Sequence, residues 1–219
     1  MDITLNGTEV RVLGSLIEKE LTTPEYYPLS LNSLTSACNQ KSNRDPVMAL
    51  AEEDVIRALD SLSFKQLVVL SADGGRVPKY RHLLAEKLGL MAAEQAVICE
   101  LLVRGPQTIG ELRTRGERMH PFGDLAAVEE VLQELIQREH PLIALLPRQP
   151  GRKEGRYAQL FSGMPECGEE SSEARPEPAR QRVMMENERV AKLEEEVAAL
   201  RNEVAELQQQ MAEFKAQFE

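Results

Sequence analysis

Six consecutive residues carry the densest potential for recognition chemistry in this 219-residue chain: Asn39-Gln40-Lys41-Ser42-Asn43-Arg44. Asn and Gln amides offer a paired donor and acceptor that match an adenine edge, while Lys and Arg neutralise phosphates. Asn39, Gln40, Lys41, Asn43 and Arg44 could therefore form a nucleic-acid docking loop between two helices. The same residue types also make plain turns. Asn39 can end a helix, and Ser42 and Asn43 can bond to nearby backbone. Both readings fit the sequence.

Further basic residues collect around two expected β-hairpins. Arg76, Lys79 and Arg81 fall on the first, with Lys79 and Arg81 on one face by the two-residue period. Arg148, Arg152, Lys153 and Arg156 fall on the second, and Arg113, Arg115 and Arg118 on a preceding helix. Each group could track a phosphate backbone, although basic residues on hairpins also serve as solvated edge protection.

Catalytic signatures are missing from the chain. No Gly-rich phosphate loop follows a strand, and no nucleophile-elbow motif occurs, so a non-enzymatic protein without a cofactor is expected. His82, His120 and His140 have no zinc-like spacing to one another or to Cys38, Cys99 and Cys167, so no metal site is expected. The odd, scattered cysteines argue against a disulfide framework and fit a reducing compartment. Cys38 is in helical register with Leu31 and Leu34 and reads as a small core residue. With no leader and no bilayer-length apolar run, a cytoplasmic location is expected, away from membranes.

The elements that must position these residues come in duplicate. Val55, Leu59 and Leu62 of Val55-Ile56-Arg57-Ala58-Leu59-Asp60-Ser61-Leu62 match Val128, Leu132 and Leu135 of a later segment, on one helical face. Downstream, Lys79-Tyr80-Arg81-His82-Leu83-Leu84 matches Arg156-Tyr157-Ala158-Gln159-Leu160-Phe161. The first unit opens at Asn6 with Glu9 three residues on, a capping box, and Val10, Leu13, Ile17 and Leu21 form its apolar face. Ser30 caps a second helix through Asn39, and a third runs from about Glu52 to Lys65. Leu67 to Leu70 and Val77 to Leu83 are expected strands around an Asp73-Gly74-Gly75 turn. In the second unit, helices are expected at about Ala92–Val103, after a Thr108/Glu111 capping box, and at Leu125–Arg138. Strands at Leu142–Leu146 and Arg156–Phe161 follow. Three helices and a hairpin, twice, predict a mainly helical α+β fold of tandem winged helix-turn-helix domains, 1–89 and 90–163.

Residues 164–182 are rich in Gly, Ser, Glu and Pro and read as a flexible linker. Over 183–219 a coiled-coil helix is expected. Val190, Leu193, Val197, Leu200, Val204, Leu207, Met211, Phe214 and Phe218 alternate spacings of three and four, a seam suited to a parallel homodimer. A single amphipathic helix packed on the domains would show the same spacing.

The segment Thr22 to Met48, TTPEYYPLSLNSLTSACNQKSNRDPVM, resembles the signature of the YceH-like family of uncharacterised bacterial proteins. So do Arg11 to Leu21, Gly105 to Arg115 and Arg156 to Gly163. The resemblance covers about Asn6 to Gly163 and implies a tandem winged-helix fold. It implies no biochemical role.

Charge then divides two functional classes. Net charge is −10, but residues 164–219 carry 14 acidic and 7 basic side chains, so the first two thirds are near balance. In a winged helix the third helix usually enters the major groove. Here Glu52, Glu53, Asp54 and Asp60 stand against Arg57 and Lys65, and Asp124, Glu129, Glu130 and Glu134 against Arg138. Those acids oppose phosphates, so nucleic-acid binding, the leading expectation and one that fits a transcriptional regulator, is expected through the 39–44 loop and the basic wings. The other class is a protein-interaction scaffold, using the acidic third helices and the coiled coil.

Overall fold

The computed structural model describes residues 3–71, 77–148 and 154–164. Arg76, Arg152, Lys153, the Asp73-Gly74-Gly75 turn, the linker beyond Met164 and the heptad seam lie outside the described residues. Residues 1–167 group into one compact unit.

The fold is α+β and mainly helical. The first repeat contains α1 (Gly7–Thr22), a 3-10 turn (Pro24–Tyr26), β1 (Leu29–Ser30), α2 (Leu31–Cys38), α3 (Glu52–Phe64), β2 (Val68–Leu70) and β3 (Lys79–His82). A short helix α4 (Leu84–Leu88) leads into the second repeat. There follow α5 (Ala92–Arg104), α6 (Ile109–Gly116), α7 (Leu125–Gln137), β4 (Ile143–Leu146) and β5 (Arg156–Gln159). Each repeat thus runs through three helices and then an antiparallel strand pair, the order expected from the sequence. α4 and β1 were not expected.

Local chemistry explains the helix starts. Asn6 and Glu9 close a reciprocal capping box on α1, and Thr108 and Glu111 close another on α6. Ser30 caps α2 and Asp124 caps α7. The matched apolar triplets of the third helices are fully interior: Val55, Leu59 and Leu62 in α3, and Val128, Leu132 and Leu135 in α7.

The duplication extends to individual bonds. Glu9 and Glu94 hold the same capping-box position in α1 and α5. Glu9 pairs with Lys65 just past α3 at 2.7 Å, and Glu94 pairs with Arg138 just past α7 at 2.7 Å. Each first helix is thereby tied to the end of its own third helix. In the first repeat β1 joins β2 and β3 in a sheet ordered β1-β3-β2, pairing Leu29 with Tyr80. In the second, a single antiparallel bridge joins Gln107 to Tyr157, the residue matched to Tyr80 in the sequence repeat.

The two repeats share one core, and its centre is the α1–α5 pair. Every residue from Glu9 to Glu18 is buried, as are Glu94 and all of Ala96 to Val103. Such helices need apolar neighbours on most sides, and buried charges on them need partners. Alignment on the capping-box glutamates makes Gly14 the counterpart of Cys99. These counterparts meet, with the Cys99 thiol 3.5 Å from the Gly14 carbonyl oxygen. Equivalent positions touching one another is the mark of a local twofold relation. The close approach needs glycine: a Cβ on Gly14 would lie 2.8 Å from Val103 Cγ1 and 2.9 Å from Leu102 Cβ.

Candidate functional site

The α2–α3 connection is the strongest candidate in the sequence, and three of its polar side chains, Asn39, Asn43 and Arg44, turn inward. Asn39 ends α2 and its amide clamps Leu50, with Nδ2 donating to the Leu50 carbonyl and Oδ1 accepting from the Leu50 N–H, each at 2.8 Å. The connection is closed at its base by one side chain. Asn43 sits in the left-handed region (φ 58°), where Asn is among the better-tolerated residues, and its Oδ1 accepts from Arg104 of α5.

Arg44 corrects the phosphate-contact expectation most directly. Its side chain is fully buried. It donates to the carbonyls of Ala37 and Asn43 and pairs with Glu18 of α1 at 2.5 Å. Arg11 lies beside it, donating to the carbonyls of Cys38 and Pro46 at 3.2 and 2.6 Å. The Asp45 N–H bonds to the Val103 carbonyl at 3.0 Å. The loop is therefore stitched to α1, α2 and α5. Part of the Thr22–Met48 segment is thus an internal seam.

Buried charge sets the electrostatics. Burial by itself raises the Glu18 carboxyl, but the Arg44 hydrogen bond and charge, aided by Lys19, carry it below the usual range. Burial and the neighbouring Arg44 charge lower the Arg11 guanidinium. On α5, burial raises the Glu100 carboxyl, and Arg104 only partly offsets it. The Cys38 and Cys99 thiols are both pushed up by burial, which makes them poor nucleophiles.

Other sequence candidates divide in the same way. Arg81 pairs with Glu86 at 2.6 Å. Arg115 pairs with Glu111 at 3.2 Å and donates to the Gln107 side chain. Arg156 donates to the Pro106 carbonyl and also pairs with Glu111 at 3.2 Å. Lys41, Lys79, Arg113, Arg118 and Arg148 are exposed.

One group of these does converge. Glu18, Lys19, Gln40, Lys41, Ser42, Asn43 and Arg118 line a basin of about 490 Å³. Arg118, just past α6 in the second repeat, thus meets the turn of the first. The sequence sets Arg118 on the helix before the second hairpin, whereas it lies just past α6, and no sequence pattern marks Lys19. Only the tertiary fold brings them together.

A His–carboxylate pair also escaped sequence reading. His82 Nε2 lies 2.6 Å from Glu20 Oε2, and the His82 N–H donates to the Tyr27 hydroxyl. The His82 side chain is only 2% exposed, so no substrate reaches it as it stands. Tyr27 is likewise shielded, and burial raises its hydroxyl far above the usual range. Among the described residues, no group of three or more His, Cys, Asp or Glu side chains could hold a metal ion, and no helix is long and apolar enough to cross a membrane.

The exposed faces of the third helices show the opposite character. Outward on α3 stand Glu52, Glu53, Ile56, Arg57, Asp60, Ser63 and Phe64, the last 90% exposed. Outward on α7 stand Leu125, Ala126, Glu129, Glu130, Gln133, Glu134 and Gln137. Both faces are acidic with apolar residues at their ends.

Comparison with known proteins gives a consistent family. A "UPF0502 protein" of Geotalea daltonii is 71% identical over 187 residues, covering 85% of each chain. A protein of the same description from Geobacter sulfurreducens is 65% identical with the same coverage, and one from Pelobacter propionicus is 71% identical over 74% of each chain. Residues 5–152 match the profile described as "Protein of unknown function, DUF480". That span contains the α1–α5 pair and the whole inward-turned loop, and on this match the chain belongs to that uncharacterised bacterial protein family.

Proposed function

We propose that the chain is a non-enzymatic, tandem winged-helix adaptor that holds a protein partner on its acidic third helices. Its tail would pair two copies through the Val190–Phe218 seam. The supporting observation is the exposed acidic and apolar surface of α3 and α7, in the position where a DNA-binding winged helix would carry groove-reading, phosphate-compatible residues. Phosphates approaching Glu129, Glu130 and Glu134 would meet like charge. The side chains that could have compensated, Asn39, Asn43 and Arg44, are engaged internally. A basic, partly apolar segment complements these faces, with Phe64 and Leu125 as anchors and the carboxylates selecting its sign.

A second reading rests on Lys41, Lys79, Arg113, Arg118 and Arg148, which are exposed and could contact a nucleic-acid backbone. One experiment separates the two. Full-length parent, a Glu129→Gln/Glu130→Gln/Glu134→Gln variant and a Lys41→Ala/Lys79→Ala/Arg113→Ala variant are compared. Each is tested by affinity capture with identification of bound proteins, and by anisotropy on duplex DNA at two salt concentrations. The adaptor predicts a protein partner lost from the glutamine variant and retained by the alanine variant, with no salt-steep DNA affinity. DNA binding that falls steeply with salt and disappears in the alanine variant would replace the adaptor by a nucleic-acid-binding protein.

A further inference from the structure

The basin lined by the Gln40–Asn43 turn gathers basic side chains from both repeats. Every residue that lines it is polar or charged, and Lys19, Lys41 and Arg118 bring three cations to it. Its one carboxylate, Glu18, is already matched by Arg44, whose buried guanidinium lies 2.5 Å from it. Lys19 Nζ lies 3.5 Å from both Glu18 Oε2 and Gln40 Oε1, which draws its ammonium toward the turn. With Glu18 and Arg44 counted together, the three remaining cations have no matching anion in the lining. Concentrated like charge in a concavity is unfavourable until an anion occupies it.

We propose that this basin binds a small phosphorylated ligand carrying at least two phosphate groups. The proposal goes beyond the adaptor reading and does not depend on it. A volume of about 490 Å³ falls within the range of small-molecule sites. Two phosphates supply the charge that three cations call for, and Lys and Arg are the side chains that meet phosphate oxygens best. The amide of Gln40 and the hydroxyl of Ser42 add neutral hydrogen bonds. No aromatic ring lines the basin, so recognition would rest on the phosphates rather than on stacking of a base. Arg118 comes from the second repeat and the other lining residues from the first, so a bound ligand would bridge the repeats.

The test is calorimetric titration of the full chain with sodium pyrophosphate and, separately, with ATP, both without divalent cations. The expected result is saturable binding of one molecule per chain, similar for the two probes and weakened by added salt. Lys41→Ala and Arg118→Ala should each weaken it by about tenfold, as loss of a charge-assisted hydrogen bond does. Arg57→Ala, an exposed change on α3 outside the lining, should leave it unaltered. Because Lys41 and Arg118 are exposed, these variants retain the fold, which circular dichroism checks. The proposal is overturned if neither probe saturates in the millimolar range. It is equally overturned if the Lys41→Ala/Arg118→Ala double variant binds as the parent does, or if duplex DNA binds while both small probes fail.

Discussion

In the first repeat, residues 39–51 join the second and third helices. In the second repeat, residues 117–124 make the equivalent connection. The first is longer and built into the interior, with Arg44 buried against Glu18 and Asn39 clamped to Leu50. The second is shorter and leaves Arg118 exposed, capping its helix locally through Asp124. The flanking helices nevertheless correspond closely, down to the Glu9–Lys65 and Glu94–Arg138 pairs. The difference shows that arginines in equivalent connections of one skeleton can have opposite destinies. What decides is whether backbone carbonyls and a carboxylate lie within reach of the guanidinium.

The comparison can be broken most sharply at the two arginines. Arg44→Ala leaves the Glu18 carboxylate interior without its main partner, together with the carbonyls of Ala37 and Asn43. A loss of about 3–5 kcal/mol in urea unfolding is expected. Arg118→Ala, an exposed change in the equivalent connection, should stay within about 0.5 kcal/mol of the parent. Equal effects from the two would mean that the inward loop is not a structural seam.

A smaller effect is expected where the repeats touch. Alanine favours a helix over glycine by about 1 kcal/mol, so on an open helix Gly14→Ala would stabilise. Here the new methyl meets Val103 and Leu102 below 3.0 Å, and a net loss of about 1–3 kcal/mol is expected instead. Adding Val103→Ala should cost less in the Gly14→Ala background than in the parent, a coupling that a double-mutant cycle reads directly. A stabilised Gly14→Ala protein would show that α1 and α5 do not pack this closely in solution.

The smallest expected effect contrasts two buried carboxylates on these central helices. Glu18 has its folded-state pKa lowered, so its stabilising contribution is present above the ordinary carboxylate range and is lost as pH falls through the folded value. Glu100 has its folded-state pKa raised, so its contribution is full below the ordinary range and is lost as pH rises through the raised value. Arg104 Nε lies 3.0 Å from Glu100 Oε2, yet neither atom has an aligned hydrogen bond, which leaves the carboxylate poorly compensated. Glu100→Gln should therefore raise the urea midpoint at neutral pH, and the gain should shrink in acid. A midpoint that falls at neutral pH would show that the Arg104 pairing outweighs burial.

Much of the fold was legible because helices announce themselves by period. The Val55/Leu59/Leu62 and Val128/Leu132/Leu135 triplets mark one buried face each, and the Asn6/Glu9 and Thr108/Glu111 boxes mark starts within a residue. β1 was not legible, since two residues give no alternation to detect. The 39–44 segment was recognisable as special, but the direction of its side chains was not. Arg44 finds Glu18 across 26 positions, and its other acceptors are carbonyls, which every residue has and no sequence pattern reveals. Lys41 and Arg118 share a basin only because α1 and α5 pack, which no local pattern encodes. Burial of the whole Glu9–Glu18 stretch was similarly hidden, because its charged residues imitate a solvent-facing stripe.

The meeting of Gly14 with Cys99 spans 85 positions, and that separation has a temporal meaning. At synthesis rates of roughly 5–20 residues per second, α1 leaves the ribosome several seconds before the helix that covers it exists. During that interval the face of α1 around Gly14 lacks the neighbours that Cys99, Leu102 and Val103 later provide. A nascent chain stopped near Leu90 would expose an apolar furrow along α1, open to a chaperone or to the same furrow on another nascent chain. The first repeat is thus a waiting half-site, and the arrival of α5 is the step that commits the chain to its own partner rather than a stranger's.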